Sequence, residues 1–177
     1  MTILKRISGL HHYAYRCRNA EETRSFYEDL LGLPLAHVIQ ADSVPSTGAS
    51  DPYVHLFFEY ADGSYIAFFD LGDETACMPD PETPSWVNHF AMQVKTVAEV
   101  EEWKKRLEKA GIDVVGVTDH GFVKSIYFLD PNGIRLEITC EVIGEKERQA
   151  HRDQAHAALK AWTDTQPAPQ TEFYRLK

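Results

Sequence analysis

Three residues far apart in the chain, His12, His89 and Glu137, are of the types that hold a divalent transition metal. Two imidazoles and one carboxylate on a shared face make a 2-His-1-carboxylate site, which on Fe(II) leaves positions open for substrate and oxygen. Each of the three stands in an alternating run. In SIYFLDPNGIRLEIT, residues 125–139, Ile134, Leu136 and Ile138 take one face. Period-2 alternation then puts Arg135, Glu137 and Thr139 on the other. A carboxylate planted on the polar face of such a strand is a candidate ligand or base.

The elements that must position these residues are written twice. Residues 10–18, LHHYAYRCR, read as a strand with His12, Ala14 and Arg16 on one face and His11 on the core side. Asn19 caps a predicted helix over 20–31, stopped by Gly32. A strand near 35–41, a polar loop at 42–52 and a hairpin through Asp62-Gly63 follow. After a Pro- and acid-rich linker the grammar returns. WVNHFAMQV is a strand carrying His89, Thr96 caps a helix ended by Gly111, and a strand at 112–117 leads to the hairpin around Asn132-Gly133. The reading is α+β: two βαβββ modules forming a curved mixed sheet around a metal cleft, in a single domain over 1–177. Module one spans 8–71, the linker 72–84, module two 85–141, and a C-terminal helix and tail 142–177. The stripe Ala155, Ala158, Leu159 and Trp162 predicts that this helix packs on the body or on a partner, and Pro167 and Pro169 predict an extended end.

The copies register on each other. His12 and His89 are 77 residues apart, whereas the hairpin glycines Gly63 and Gly133 are 70 apart, the difference being taken up by the longer first loop. On the hairpin offset Glu137 matches Ala67, Tyr127 matches Phe57, and Ser125 matches His55. The site is therefore asymmetric, with an acid in one copy and a methyl group in its twin. His55 faces the cleft and is a candidate acid/base, because an imidazole titrates near neutrality. His37, His151 and His156 carry no assigned role.

Composition narrows the function classes. The 177 residues are 44% hydrophobic and 25% charged, as in ordinary globular domains. A net charge of -9 repels phosphate backbones, which argues against nucleic acid. No apolar run reaches membrane length and no secretory signal opens the chain, so the expectation is a cytoplasmic protein with no membrane contact. Cys17, Cys77 and Cys140 have no CxxC spacing, and Cys17 and Cys140 read as buried thiols.

Residues 8–141 resemble the vicinal-oxygen-chelate superfamily, which includes glyoxalase I, bleomycin-resistance proteins, extradiol dioxygenases, fosfomycin-resistance enzymes and methylmalonyl-CoA epimerase. The carriers are LHHYAYRCRNAEETRSFYEDLLGL, VNHFAMQVKTVAEVEEWKKRLEKAG and SIYFLDPNGIRLEIT. The resemblance implies four metal slots, falling on His12, Ala67, His89 and Glu137. Glyoxalase I typically has Glu where Ala67 stands, so the pattern looks most like a single-domain extradiol dioxygenase that cleaves a catechol-like substrate with O₂. It implies a pocket His and Tyr, matching His120 and Tyr127, which with His55 would handle protons and steady bound oxygen. Fe(II) is the expected metal, with Mn(II), Zn(II) or Ni(II) as alternatives, and a homodimer is expected. The alternatives in activity are a glyoxalase-like lyase or isomerase, a Mn-dependent fosfomycin-type thiol transferase, or a metal-free ligand-binding protein.

Overall fold

A computed structural model of the chain describes residues 6–76 and 81–166. The first half contains β1 (His12–Cys17), α1 (Ala20–Arg24), a π-helical segment Ser25–Leu30, β2 (Leu35–Ala41), β3 (Tyr53–Glu59) and β4 (Tyr65–Asp70). The second contains β5 (Phe90–Gln93), α2 (Val97–Lys109), β6 (Val115–Asp119), β7 (Val123–Leu129) and β8 (Arg135–Glu141), and α3 (Glu145–Thr163) follows. Each half makes one four-stranded mixed sheet, in the orders β1-β4-β3-β2 and β5-β8-β7-β6. The fold is the expected α+β doubling.

Register bears out the repeat at the level of single residues. Ala67 lies between Ala14 on β1 and Phe57 on β3, and Glu137 lies between Ala91 on β5 and Tyr127 on β7. Local signals act as the sequence implies. The Asn19 side chain accepts from the Glu22 amide, and Thr96 and Glu99 form a reciprocal capping box.

The two halves share one core. Cys17, Phe58, Ile66 and Phe68 of the first sheet join Ile126, Leu136, Ile138 and Cys140 of the second, with Tyr27 and Leu31 from the first helical segment and Val100 and Leu107 from α2. Removing this much apolar surface from water is the dominant favourable term in holding the halves together. A polar bolt crosses the same seam. The Tyr27 hydroxyl donates to Asp130, and Asn132 accepts from the Arg18 amide while donating to Thr23. Because side chains alternate along a strand, the faces bearing His12 and Ala67, and Ala91 and Glu137, are both turned away from this common core.

Several expectations are corrected. The helix over 20–31 divides, since after Arg24 it widens into the π-helical segment. Strand β5 begins at Phe90, so His89 lies in the loop just before it. His11 is exposed, with its ring edge-on to that of His12, because it precedes the strand and escapes its alternation. The strand predicted at 112–117 runs from Val115 to Asp119. In the β7–β8 turn only Gly133 takes positive φ, whereas Asn132 is 3% exposed and acts as part of the bolt. α3 forms but buries none of its residues. Leu159 and Trp162 are 60% and 66% exposed, so the stripe does not pack on the body. Cys77 and the Pro167 to Pro169 end lie outside the described residues.

Candidate metal centre

Glu137 sits at the centre of β8 and is 5% exposed. Its Oε2 lies 3.1 Å from His89 Nε2. The other ring nitrogen of His89, Nδ1, is 2.9 Å from the carbonyl oxygen of Val87, which can only accept, so Nδ1 carries the proton. Nε2 of His89 then faces a carboxylate oxygen. Two lone pairs at that distance require a proton or a cation between them. The separation also suits two neighbouring ligands on one ion, since bonds of about 2.1 Å at right angles put their donor atoms about 3 Å apart. A carbonyl at the far ring nitrogen is the kind of outer hydrogen bond that fixes the tautomer of metal-binding histidines.

Tyr127 and His120 complete this half. Tyr127 is the cross-strand partner of Glu137, and its hydroxyl is 2.8 Å from His120 Nε2. Burial, and then the Glu137 charge, push the Tyr127 phenol above its ordinary pKa, so it keeps its proton at neutral pH. The Arg135 guanidinium lies 4.5 Å from the centre of the Tyr127 ring, a cation–π contact that the sequence reading did not include. It follows from alternation, because Arg135 and Glu137 share a face of β8.

The first half carries His12 and an aromatic wall. His12 Nδ1 is 2.8 Å from His11 Nδ1, and its ring lies 5.6 Å from Phe57 and 6.3 Å from His55. His55 is 7% exposed and stacks 3.6 Å from Phe69. Among the described residues its Nε2 is buried without a hydrogen-bond partner. Burial pushes His55 down to about 4, with smaller contributions from His12 and His37, so the expectation that it titrates near neutrality is not met. The effect of His37 was missed because its place on β2, 5.5 Å from the Phe57 ring, depends on a strand pairing that local sequence does not announce.

The expected ligands therefore lie in two groups: His89 and Glu137 with Tyr127 and His120, and His12 with His55. Among the described residues no three His, Cys, Asp or Glu side chains converge as a metal cluster within one chain. The shared core gives the reason, since both ligand faces are directed outward from it. Of the two cleft-face arginines, Arg16 is ion-paired with Asp73 and Arg135 covers Tyr127.

A family model for the Glyoxalase/Bleomycin resistance protein/Dioxygenase superfamily matches residues 9–138. The chain belongs to that superfamily. Its similarity to "Glyoxylase I 4" of Arabidopsis thaliana is 27% identity over 96% of this chain and 92% of the relative. Among solved structures, the trypanothione-dependent glyoxalase I of Leishmania major is 18% identical with a TM-score of 0.58, covering 90% of this chain and 100% of that one. A mutant of the fosfomycin resistance protein FosX from Listeria monocytogenes, complexed with Mn(II) and 1S,2S-dihydroxypropylphosphonic acid, is 21% identical with a TM-score of 0.57, covering 81% of this chain and 99% of that one. The superfamily resemblance read from the sequence is borne out. The named relatives lie on the side of glyoxalase and fosfomycin-resistance proteins, and no helix among the described residues is long and apolar enough to cross a membrane.

Proposed function

We propose that the protein is a divalent-metal enzyme of glyoxalase type, assembled from two copies of the chain, that grips a small substrate through two adjacent oxygens and moves a proton on it. His89 and Glu137 of one copy and His12 of the other would hold the metal. Bound there, the ion would supply Lewis-acid polarisation of the substrate oxygens. One observation carries the reading: Glu137 Oε2 and His89 Nε2 lie 3.1 Å apart, the spacing of two adjacent ligands on one ion, with Nδ1 of His89 on the Val87 carbonyl. His12 is turned outward on the other half of the molecule, so a second copy must bring the third donor. Three protein ligands leave room for two substrate oxygens.

The remaining side chains then have definable work. Tyr127, protonated at neutral pH, would donate to a substrate oxygen, and His120 would exchange that proton through the hydroxyl it touches. His55 would present a neutral imidazole from the first-half wall. The likeness to Arabidopsis Glyoxylase I 4 over nearly the whole chain, and to a FosX structure complexed with Mn(II), supports lyase, isomerase or transferase chemistry.

A second reading is favoured by one contrast. Ala67 stands in the slot where the family resemblance puts the glutamate of glyoxalase I, and the His120–Tyr127 pair matches the pocket His and Tyr of extradiol dioxygenases. On that reading the metal is Fe(II), the co-substrate O₂ and the substrate a catechol. The experiment is anaerobic purification, loading with Mn(II), Ni(II), Zn(II) or Fe(II) in turn, and assay with a 2-oxoaldehyde–thiol adduct, an epoxide with thiol or water, and a catechol panel under O₂. Turnover of the adduct or the epoxide is expected. Catechol-dependent oxygen uptake by the Fe(II) form would replace the first reading with the second, and failure to retain any metal would overturn both.

A further inference from the structure

The aromatic wall beside His12 continues past the ligand face. His55 stacks on Phe69 at 3.6 Å, and Phe69 meets Tyr53 edge-on at 5.2 Å. Tyr53 and Phe69 then line an open groove of about 550 Å³, closed by Val44, Pro45, Leu71 and Asp73. That volume is within the range of small-molecule sites. The roof is the 42–52 loop joining β2 to β3. In the second half the equivalent strands β6 and β7 are joined by residues 120–122 alone, so the groove has no twin. Its parity is that of the ligands, because Phe69 pairs with His55 on β3 and with Arg16 on β1. Asp51 and Asp73 border the groove, and Arg16 neutralises Asp73, so Asp51 supplies the remaining rim charge.

We infer that this groove is a substrate subsite for a neutral aromatic or bulky apolar tail attached to the oxygens that the metal chelates. The inference rests on the proposed metal-dependent function and narrows its substrate class. Aromatic rings supply large apolar contact at Phe69 and Tyr53, while Asp51 at the rim disfavours a tail carrying carboxylates. The tail reaches the groove past His55, along the unbroken run of rings from His12.

The test uses the full-length protein and two neutral probes. 4-Phenylphenol, which lacks the chelating oxygen pair, is titrated into the metal-free protein by ligand-observed NMR. It binds the wild type, whereas Phe69→Ala and Leu71→Asp weaken it about tenfold. Leu71 is exposed, so its substitution keeps the test meaningful if Phe69→Ala fails to fold. In the metal-loaded protein, 4-phenylcatechol binds about tenfold more tightly than catechol, and 4-carboxycatechol shows no such gain. Leu71→Asp removes the advantage of the phenyl group while leaving metal content and catechol affinity unchanged. Absence of 4-phenylphenol binding, or binding unaltered in both variants, overturns the subsite. Loss of catechol binding with 4-phenylphenol binding intact overturns the metal reading and leaves the tail groove supported.

Discussion

The Tyr27 hydroxyl donates to the Asp130 carboxylate across 3.0 Å, joining the helical segment of one half to the hairpin of the other inside the shared core. Asp130 also accepts from the amides of Asn132 and Ile134 and from the Asn132 side chain. Burial is the main influence on this carboxylate and raises its pKa, and each of these donors offsets part of that effect.

Tyr27→Phe should lower stability by about 1–2 kcal/mol, because it removes one donor from a buried carboxylate that keeps its other partners. Asp130→Ala should cost more, since it leaves two turn amides without their acceptor. Urea unfolding checks the order. Equal losses in the two variants would mean that the turn is held by its backbone alone.

Pairing of half-sites gives a complementation test. His12→Ala and Glu137→Ala chains should each be inactive. Unfolded together and refolded at equal amounts, half of the randomly formed dimers pair unlike chains, and each of those has one intact site of two. Metal content and activity should therefore return to about one quarter of wild type. No recovery would place the third ligand elsewhere.

His89→Ala and Glu137→Ala should each abolish metal retention, measured by elemental analysis, with folding preserved by circular dichroism. Ala67→Glu is the converse change. Ala67 is fully buried between Ala14 and Phe57, as Glu137 lies between Ala91 and Tyr127, so a carboxylate there copies an arrangement the fold already accommodates. The variant should be destabilised without metal, by roughly 2 kcal/mol for an unpaired buried charge, and should bind metal more tightly than wild type.

The pH dependence of the metal-free protein should carry the signature of His55. Its folded pKa of about 4 lies below the ordinary histidine value of 6.5, so the unfolded chain takes up this proton while the folded chain does not. The stability it contributes is full above about pH 6.5 and is lost as pH falls towards 4, by about 3 kcal/mol. His55→Phe should flatten the unfolding free energy across that window. An unchanged slope would assign the acid sensitivity to other groups.

Much of this was legible from residue order alone. Alternation at 134–139 places Glu137 opposite the apolar side, and the difference between the offsets of 77 and 70 aligns the halves without reference to strand pairing. What resisted was tertiary. Local alternation says which side of a strand a residue takes but not which sheets bury their apolar faces together, so the outward placement of His12 relative to His89 and Glu137 was hidden. His89 was read as a strand residue because its neighbours alternate, although pairing with β8 begins only at Phe90. The exposed α3 shows the same limit. Its spacing of Leu159 and Trp162 declares an apolar stripe without declaring what, if anything, covers it.

Alanine at 67 opposite glutamate at 137 makes the two equivalent faces unlike each other. The β3–β4 face offers Tyr53, His55, Phe57, Ala67 and Phe69, while its counterpart on β7–β8 offers Val123, Ser125, Tyr127, Glu137 and Thr139. One face is mostly aromatic and the other carries the carboxylate. On the proposed metal-dependent reading, substitutions that reshape the aromatic face would redirect which molecules are accepted without touching Glu137 on the acidic face. A repeat whose two faces differ in this way can vary in preference on one face while the other stays fixed.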